Sequence, residues 1–152
     1  MKKPDWKTLL PVALAALAVF VAWMPNSVTI HHMPQDGMEP LPSVYCSYFT
    51  LLEDVAGAIS LPAAALCACI CLMLAGIYAV IKKKGLMTAV KWFAVISAIL
   101  SVILILVMRN STILIVPNMV VPIAMMVEFA VAHYLTKKAD DSQKKTVKNR
   151  LK

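Results

Sequence analysis

Residues 55–81 form a run without a charged side chain, and this run stops abruptly at Lys82, Lys83 and Lys84. A helix of about 20 apolar residues is long enough to cross the hydrocarbon core of a bilayer, so the run predicts a membrane-spanning helix. Lysine clusters beside such helices stay in the cytoplasm. The lysine triplet therefore predicts the direction of this helix and of the one that follows it.

The composition of the chain agrees with a membrane protein. Hydrophobic residues make up 61% of its 152 residues, and the mean hydropathy is +0.77, whereas soluble domains are about 45–50% apolar. The net charge of +7 is concentrated at the chain ends and in one turn, as is typical beside spanning helices. This distribution argues against a nucleic-acid partner, because the apolar remainder of the chain could not fold in water.

The apolar runs predict an all-α, four-transmembrane-helix antiparallel bundle that forms a single membrane domain. We expect spans at residues 8–24, 55–81, 86–108 and 113–135, with a bend in the second span at Pro62. The first run lacks a signal-peptide cleavage site of small residues at its end, which favours an uncleaved span. Residues 136–152 form a polar, lysine-rich cytoplasmic tail, frayed or loosely helical.

The positions of the basic residues predict the orientation. Of the 15 Lys and Arg residues, fourteen lie on the inner side of the predicted bundle, and only Arg109 lies on the outer side. All four spans agree with this bias, which places both termini in the cytoplasm of a bacterial cell and the protein in its inner membrane.

The outer loop, residues 25–54, contains no Lys or Arg. Residues 28–30 and 44–49 favour two short strands, so we expect a small extracytoplasmic β-hairpin. Residues 50–53 match a capping box that would begin the second helix.

His31, His32 and Met33 in this loop carry side chains that can bind copper or zinc. Their spacing matches no defined site, and a polar hairpin without metal is the alternative. Cys46 is a single outer thiol that could form an intermolecular disulfide. A thiol–quinone oxidoreductase would need a pair of outer cysteines, so this enzyme class is not favoured.

Two charged residues lie inside predicted spans. Glu128 lies about 12 Å from the inner end of the fourth span, and Lys91 lies about 10 Å from the inner end of the third, at 1.5 Å per residue. Charges at such depth are usually paired or functional. We therefore expect an intramembrane ion pair between them; the alternatives are a Lys91 that reaches the inner surface beside a neutral Glu128, or a proton- or ion-handling role.

Three cysteines lie within the second span, but Cys69 points away from the face that Cys67 and Cys71 share. Helix packing is therefore favoured over metal binding. A seam of small residues would allow close contact with another helix, and its members are Gly57, Ser60, Ala64, Cys67 and Cys71.

Pro117 and Pro122 interrupt the fourth span on either side of Asn118. Prolines free backbone carbonyls, which can line a cavity, so these three residues are a candidate substrate site in a kinked helix. A purely structural kink is the alternative.

Residues 45–50 read Tyr-Cys-Ser-Tyr-Phe-Thr. This segment and the arrangement of spans resemble small bacterial four-span integral membrane proteins that carry an outer hairpin between spans one and two. The resemblance implies the architecture of most of the chain and brings no activity with it.

These features together favour a non-enzymatic membrane protein without a cofactor. It would lie in the lipid bilayer and act as an interaction or accessory subunit for other membrane proteins, or for itself. The alternatives are a small ion-coupled transporter that uses Glu128 and the kinked fourth helix, and an outward-facing metal sensor that uses His31, His32 and Met33.

Overall fold

A computed structural model describes residues 6–32, 42–50, 59–107 and 113–150. This part of the chain is mostly helical and carries a small sheet. Its elements, in chain order, are α1 Trp6–Trp23, β1 Val28–His32, β2 Val44–Cys46, α2 Ser60–Ile81, α3 Lys84–Val107, β3 Ile113–Pro117 and α4 Val120–Arg150.

Three helices are long and apolar enough to cross a membrane, over Ser60–Ile81, Lys84–Ile103 and Val120–Ala139. The fourth apolar helical stretch, Thr8–Trp23, is shorter. Large apolar side chains such as Leu66, Val80 and Ile123 are exposed on the outward faces. Such surfaces suit contact with hydrocarbon rather than with water.

The four helices form a ring in which each packs against the next along the chain, and α1 closes the ring against α4. Alanine lets helices approach closely, which is how membrane helices gain contact energy. Eleven alanines of the described residues are buried: Ala15, Ala18, Ala22, Ala64, Ala65, Ala68, Ala75, Ala94, Ala98, Ala124 and Ala132.

Only Lys82 and Lys83 separate α2 from α3, so the two helices must run antiparallel. Lys82 adopts a left-handed conformation with φ of 56°, and its N–H donates to the carbonyl of Tyr78 at 2.9 Å. This geometry is a common way to end a helix.

The three strands form one antiparallel sheet in the order β2-β1-β3. Val28 pairs with Cys46 on one side and with Pro117 on the other. The hairpin expected from the outer loop is therefore present as β1 and β2, and the sheet has a third strand that was not expected.

The start of the fourth helix was predicted wrongly. Residues 113–117, which we assigned to the span 113–135, form β3, and α4 begins at Val120. The reason is that β3 is a short apolar run, and such a run cannot be distinguished from a helix by its periodicity. Its backbone groups pair with β1 instead.

The bend expected within the second span at Pro62 also differs. Pro62 is the third residue of α2, and a proline is tolerated in a first turn, where the N–H groups have no helical partner. Residues 51–53 of the predicted capping box and the expected start of this helix at residues 55–58 lie outside the described residues.

Candidate functional site

Glu128 lies on the inward face of α4, together with Val121, Ala124, Met125 and Ala132, all of which are buried. The side chain of Glu128 has an exposed fraction of 0%. Neither of its carboxyl oxygens has a hydrogen-bond partner within the described part of the chain. This carboxyl group is therefore an isolated polar group in an apolar helix bundle.

The predicted ion pair between Lys91 and Glu128 is not formed. The ammonium nitrogen of Lys91 instead lies 5.4 Å from the centre of the exposed Trp92 ring, a distance at which a cation is attracted to an aromatic face. The buried positions around it on α3 are Val90 and Ala94. Because each helical residue rotates the side chain by about 100°, Lys91 points away from this interior face.

The small-residue seam of α2 is present in a modified form. Ser60, Ala64 and Cys71 are buried, whereas Cys67 is only half-buried and Ala68 occupies the interior position near it. Gly57 lies outside the described residues. The thiol of Cys71 donates to the carbonyl of Val90 at 3.6 Å, which joins α2 to α3.

A second link between α2 and α3 lies nearer the sheet, where the hydroxyl of Ser97 donates to the carbonyl of Ala64 at 2.8 Å. The four cysteines of the chain are free thiols. These two hydrogen bonds join α2 to α3 at Cys71 and Ala64.

Pro117, Asn118 and Pro122 do not form a kink inside a helix. Pro117 is the last residue of β3, and Pro122 is in the first turn of α4. Between them, the side-chain oxygen of Asn118 accepts from the N–H of Val120 at 2.9 Å. An asparagine in this position caps a helix, so these residues make the transition from strand to helix and leave the helix itself unbroken.

The two loop histidines lie next to each other on β1, and successive residues of a strand point to opposite faces. The Nδ1 atom of His31 is 2.9 Å from the hydroxyl of Ser43. Met33 lies outside the described residues. No three His, Cys, Asp or Glu side chains in the described ranges lie close enough together to hold a metal ion.

Cys46 is half-buried in β2, and this burial raises the pKa of its thiol. A higher pKa means less thiolate at neutral pH and a less reactive thiol. The geometry therefore favours a packing role for Cys46 over rapid disulfide exchange.

A polar cluster beneath the sheet was not expected from the sequence. Tyr48 is fully buried, and its hydroxyl donates to the carbonyl of Asn118 at 3.2 Å. The hydroxyl of Ser101 on α3 lies near that of Tyr48 and donates to the carbonyl of Ser97 at 2.8 Å. Burial raises the pKa of Tyr48 well above its usual value, and the neighbouring Ser101 hydroxyl lowers it to a smaller extent.

The end of α1 joins the same cluster. The carbonyl of Ala22 accepts from the N–H of Tyr48 at 3.1 Å and from the hydroxyl of Ser27 at 3.2 Å. The N–H of Asn118 donates to the carbonyl of Ser27 at 2.7 Å. We call Ala22, Ser27, Tyr48, Ser101 and Asn118 the anchor cluster, because it connects the sheet to α1, α3 and α4.

Two apolar grooves flank the outward ridge of α4. The larger lies between α3 and α4, has a volume of about 800 Å³, and is lined by Ala98, Ile99, Val102, Ile103, Met119, Pro122, Ile123, Met126, Val127 and Ala130. The smaller lies between α1 and α4, has a volume of about 510 Å³, and is lined by Trp6, Leu10, Val127, Ala130, Val131, Tyr134 and Leu135. Val127 and Ala130 border both grooves.

No protein-family model, curated protein or solved structure matches the chain. The candidate sites therefore rest on the geometry described above.

Proposed function

We propose that the protein crosses the cell membrane four times, with both termini in the cytoplasm. Three of the helices are long and apolar enough to span, and α1 packs against two of them, α2 and α4. Its 18 residues extend about 27 Å, close to the thickness of a bilayer core of about 30 Å.

Aromatic residues at the two ends of α1 support its assignment as a membrane-spanning helix. Trp6 lines the smaller groove together with Tyr134 of α4, and the ring of Trp23 lies 6.1 Å from that of Phe49. Tryptophan and tyrosine concentrate at the two interfaces of a membrane. The bias of Lys and Arg towards one side gives the proposed orientation.

The proposed activity is to bind a spanning helix of another membrane protein, as an interaction or accessory subunit in the membrane. The observation that carries this proposal is the pair of grooves that meet at Val127 and Ala130. In hydrocarbon, close packing rather than the hydrophobic effect drives helix association, and small interface residues favour it. Ala98 and Ala130 provide small residues, while Met119 and Met126 are flexible enough to fit a partner surface.

The alternatives have less support from the geometry. A transporter that uses a broken fourth helix would need a break within the bundle, but both prolines lie at the start of α4 or before it. A metal sensor that uses His31 and His32 would need both side chains on one side of β1, where a regular strand directs them to opposite faces.

Photocrosslinking tests the proposed interface. A photoreactive amino acid at Val127, which is 45% exposed, should capture a discrete membrane-protein partner in cells. The matched control is Leu66, which is 58% exposed on α2 and borders neither groove. Equal capture at both positions, or lipid adducts alone at Val127, would refute the interface; a product of twice the chain mass would identify a second copy as the partner.

Substitution of the shared alanine provides a second test. Ala130→Phe should fill both grooves and reduce recovery of the partner from mild detergent by more than tenfold. Ala16→Phe, on the outward face of α1, is the control that should leave recovery unchanged. If both variants retain the partner, it binds elsewhere.

Accessibility labelling tests the orientation. In a Cys46→Ser background, Tyr45→Cys should react with an impermeant maleimide added outside intact cells, because Tyr45 is 60% exposed on β2. A reporter fused after Lys152 should be active only in the cytoplasm. Labelling of Tyr45→Cys only after the cells are opened would reverse the proposed topology.

A further inference from the structure

Glu128 presents an energetic problem that the proposed interaction does not explain. A carboxylate moved into an apolar interior loses its hydration, and without a partner the cost is large enough that the group takes up a proton instead. Both carboxyl oxygens of Glu128 are buried without a hydrogen-bond donor from the described residues. The question is whether a neighbouring charge could compensate an ionised Glu128.

Residues 8–23 of α1 and the helix α2 provide no such charge. Residues 8–23 of α1 contain no ionisable side chain. From α2, Cys71 lies within electrostatic range of Glu128, but its thiol already donates to the carbonyl of Val90. The other ionisable side chains along α2 are Cys67, Cys69 and Tyr78, none of which carries a positive charge.

The cations of α3 and α4 also lie elsewhere. Lys91 is the basic residue of α3 nearest in depth, and its ammonium group lies over Trp92. His133 on α4 is exposed and stacks on Phe129 with ring centres 6.2 Å apart. Lys137 is nine residues beyond Glu128, or about 13 Å along the helix axis.

We propose that Glu128 is a proton-binding site in the centre of the bundle, where the folded protein holds the carboxyl group as the neutral acid. Release of the proton would leave an unpaired charge at the contact of α4 with its neighbours and would loosen that contact. The packing of the bundle thereby depends on proton binding, a property that the proposed partner interface does not require.

A proton fits this position better than a metal ion does. Metal cations such as Ca²⁺ or Mg²⁺ need six or more oxygen ligands. The interior positions beside Glu128 on its own helix are occupied by Ala124, Met125 and Ala132, whose side chains contain no oxygen. Of the two carboxyl side chains whose burial the structure describes, Glu128 is buried and Asp141 is exposed.

Infrared spectroscopy of the full chain in lipid vesicles tests the proposal directly. At neutral pH, the wild-type protein should show the carbonyl stretch of a protonated carboxyl group in an apolar setting. Glu128→Gln should lack this band, and Asp141→Asn, at an exposed position of α4, should retain it. Absence of the band from wild-type protein, or its persistence in Glu128→Gln, would overturn the proposal.

The pH dependence of unfolding is the second measurement. An exposed glutamate is ionised at neutral and alkaline pH, so the unfolded state binds fewer protons than the folded state and stability falls as pH rises. The folding equilibrium constant of wild-type protein should decrease by up to tenfold per pH unit relative to that of Glu128→Gln. Identical pH profiles would refute proton binding.

Two further measurements apply if Glu128→Gln does not fold or if Glu128 binds a metal cation instead of a proton. If Glu128→Gln does not fold, ¹³C-labelling of glutamate in wild-type protein decides the assignment, because the band must shift if it comes from glutamate; an unshifted band refutes it. Addition of Na⁺ at constant pH should leave the band unchanged. Loss of the band with Na⁺ would show a cation site and overturn the proton assignment.

Discussion

Replacement of Tyr48 by phenylalanine removes a single hydroxyl group from the anchor cluster. That hydroxyl donates to the carbonyl of Asn118 at 3.2 Å and lies near the hydroxyl of Ser101. The ring itself is fully buried, so phenylalanine preserves the packing while it leaves the carbonyl of Asn118 with one partner fewer. The expected result is a weaker connection between the sheet and the ends of α3 and α4 that lie next to it.

The size of the effect follows from this hydrogen bond. A buried group that loses its partner costs about 1–3 kcal/mol, while hydrogen bonds measured within membrane proteins average about 0.6 kcal/mol. We therefore expect Tyr48→Phe to lower the free energy of unfolding by about 1–2 kcal/mol. Tyr48→Ala, which also removes the ring, should lower it by about 3–5 kcal/mol, as for other large buried aromatic residues.

A double-mutant cycle separates the Ser101 contribution. Tyr48→Phe and Ser101→Ala should show a coupling energy of at least about 0.5 kcal/mol, because the effects of substituting neighbouring polar groups are not additive. The assay is reversible unfolding of the reconstituted full chain, titrated with denaturing detergent and followed by tryptophan fluorescence.

Tyr45→Phe is the matched control, because Tyr45 is 60% exposed on the adjacent strand. It should change the free energy of unfolding by less than about 0.5 kcal/mol. If Tyr48→Phe and Tyr45→Phe had the same effect, the anchor cluster would not connect the sheet to the bundle, and the reasoning from its hydrogen bonds would be refuted.

Three further predictions use the same unfolding assay. Gly76→Ala should stabilise the protein by about 0.5–1 kcal/mol, because an added Cβ meets no atom within 4 Å and alanine favours a helix over glycine; destabilisation would contradict this. Asn118→Ala should cost about 1 kcal/mol through loss of the helix cap, and Asn118→Ser should recover most of it; an equal loss in both would exclude capping. Lys91→Met and Glu128→Gln should be additive within about 0.5 kcal/mol, whereas a larger coupling would indicate the ion pair that the structure lacks.

The ends of the helices were predicted most accurately where an apolar run meets charged residues. The predicted spans 8–24 and 86–108 differ by at most two residues at either end from α1 Trp6–Trp23 and α3 Lys84–Val107. The reason is physical: a charged residue is costly within hydrocarbon, so lysines and polar turns lie where apolar helices end. The hairpin of β1 and β2 was also predicted, because Asp36-Gly37 is a turn signal between two runs rich in β-formers.

The third strand could not be predicted, because the local sequence pattern does not distinguish a strand from a helix at this position. Residues 113–117 are apolar and β-branched in part, which suits both a strand and the beginning of a spanning helix. Their structure is decided by pairing with β1, more than 80 residues earlier in the chain. The anchor cluster depends on the same long-range contact, since Asn118 reaches Ser27 and Tyr48 only when β3 is in place.

The ion pair was predicted wrongly because the depth of a residue and the direction of its side chain follow from different properties of a helix. Depth follows from 1.5 Å per residue and was estimated for both Lys91 and Glu128, but the direction of a side chain follows from about 100° per residue. In a helix that is apolar all round, polarity gives little information about direction.

Small residues carry that information instead. On α2 the interior positions are Ala64, Ala68, Cys71 and Ala75, separated by four, three and four residues. The same spacing on α3 gives Val90, Ala94, Ser97 and Ser101, which are all buried, and leaves Lys91 outside. On α4 the buried positions Val121, Ala124, Glu128 and Ala132 are separated by three, four and four residues, which places the carboxyl group inside. A pattern of small residues every three or four positions thus places Glu128 on an interior face and Lys91 outside one. The pattern is informative because close helix approach, rather than avoidance of water, selects the interior face.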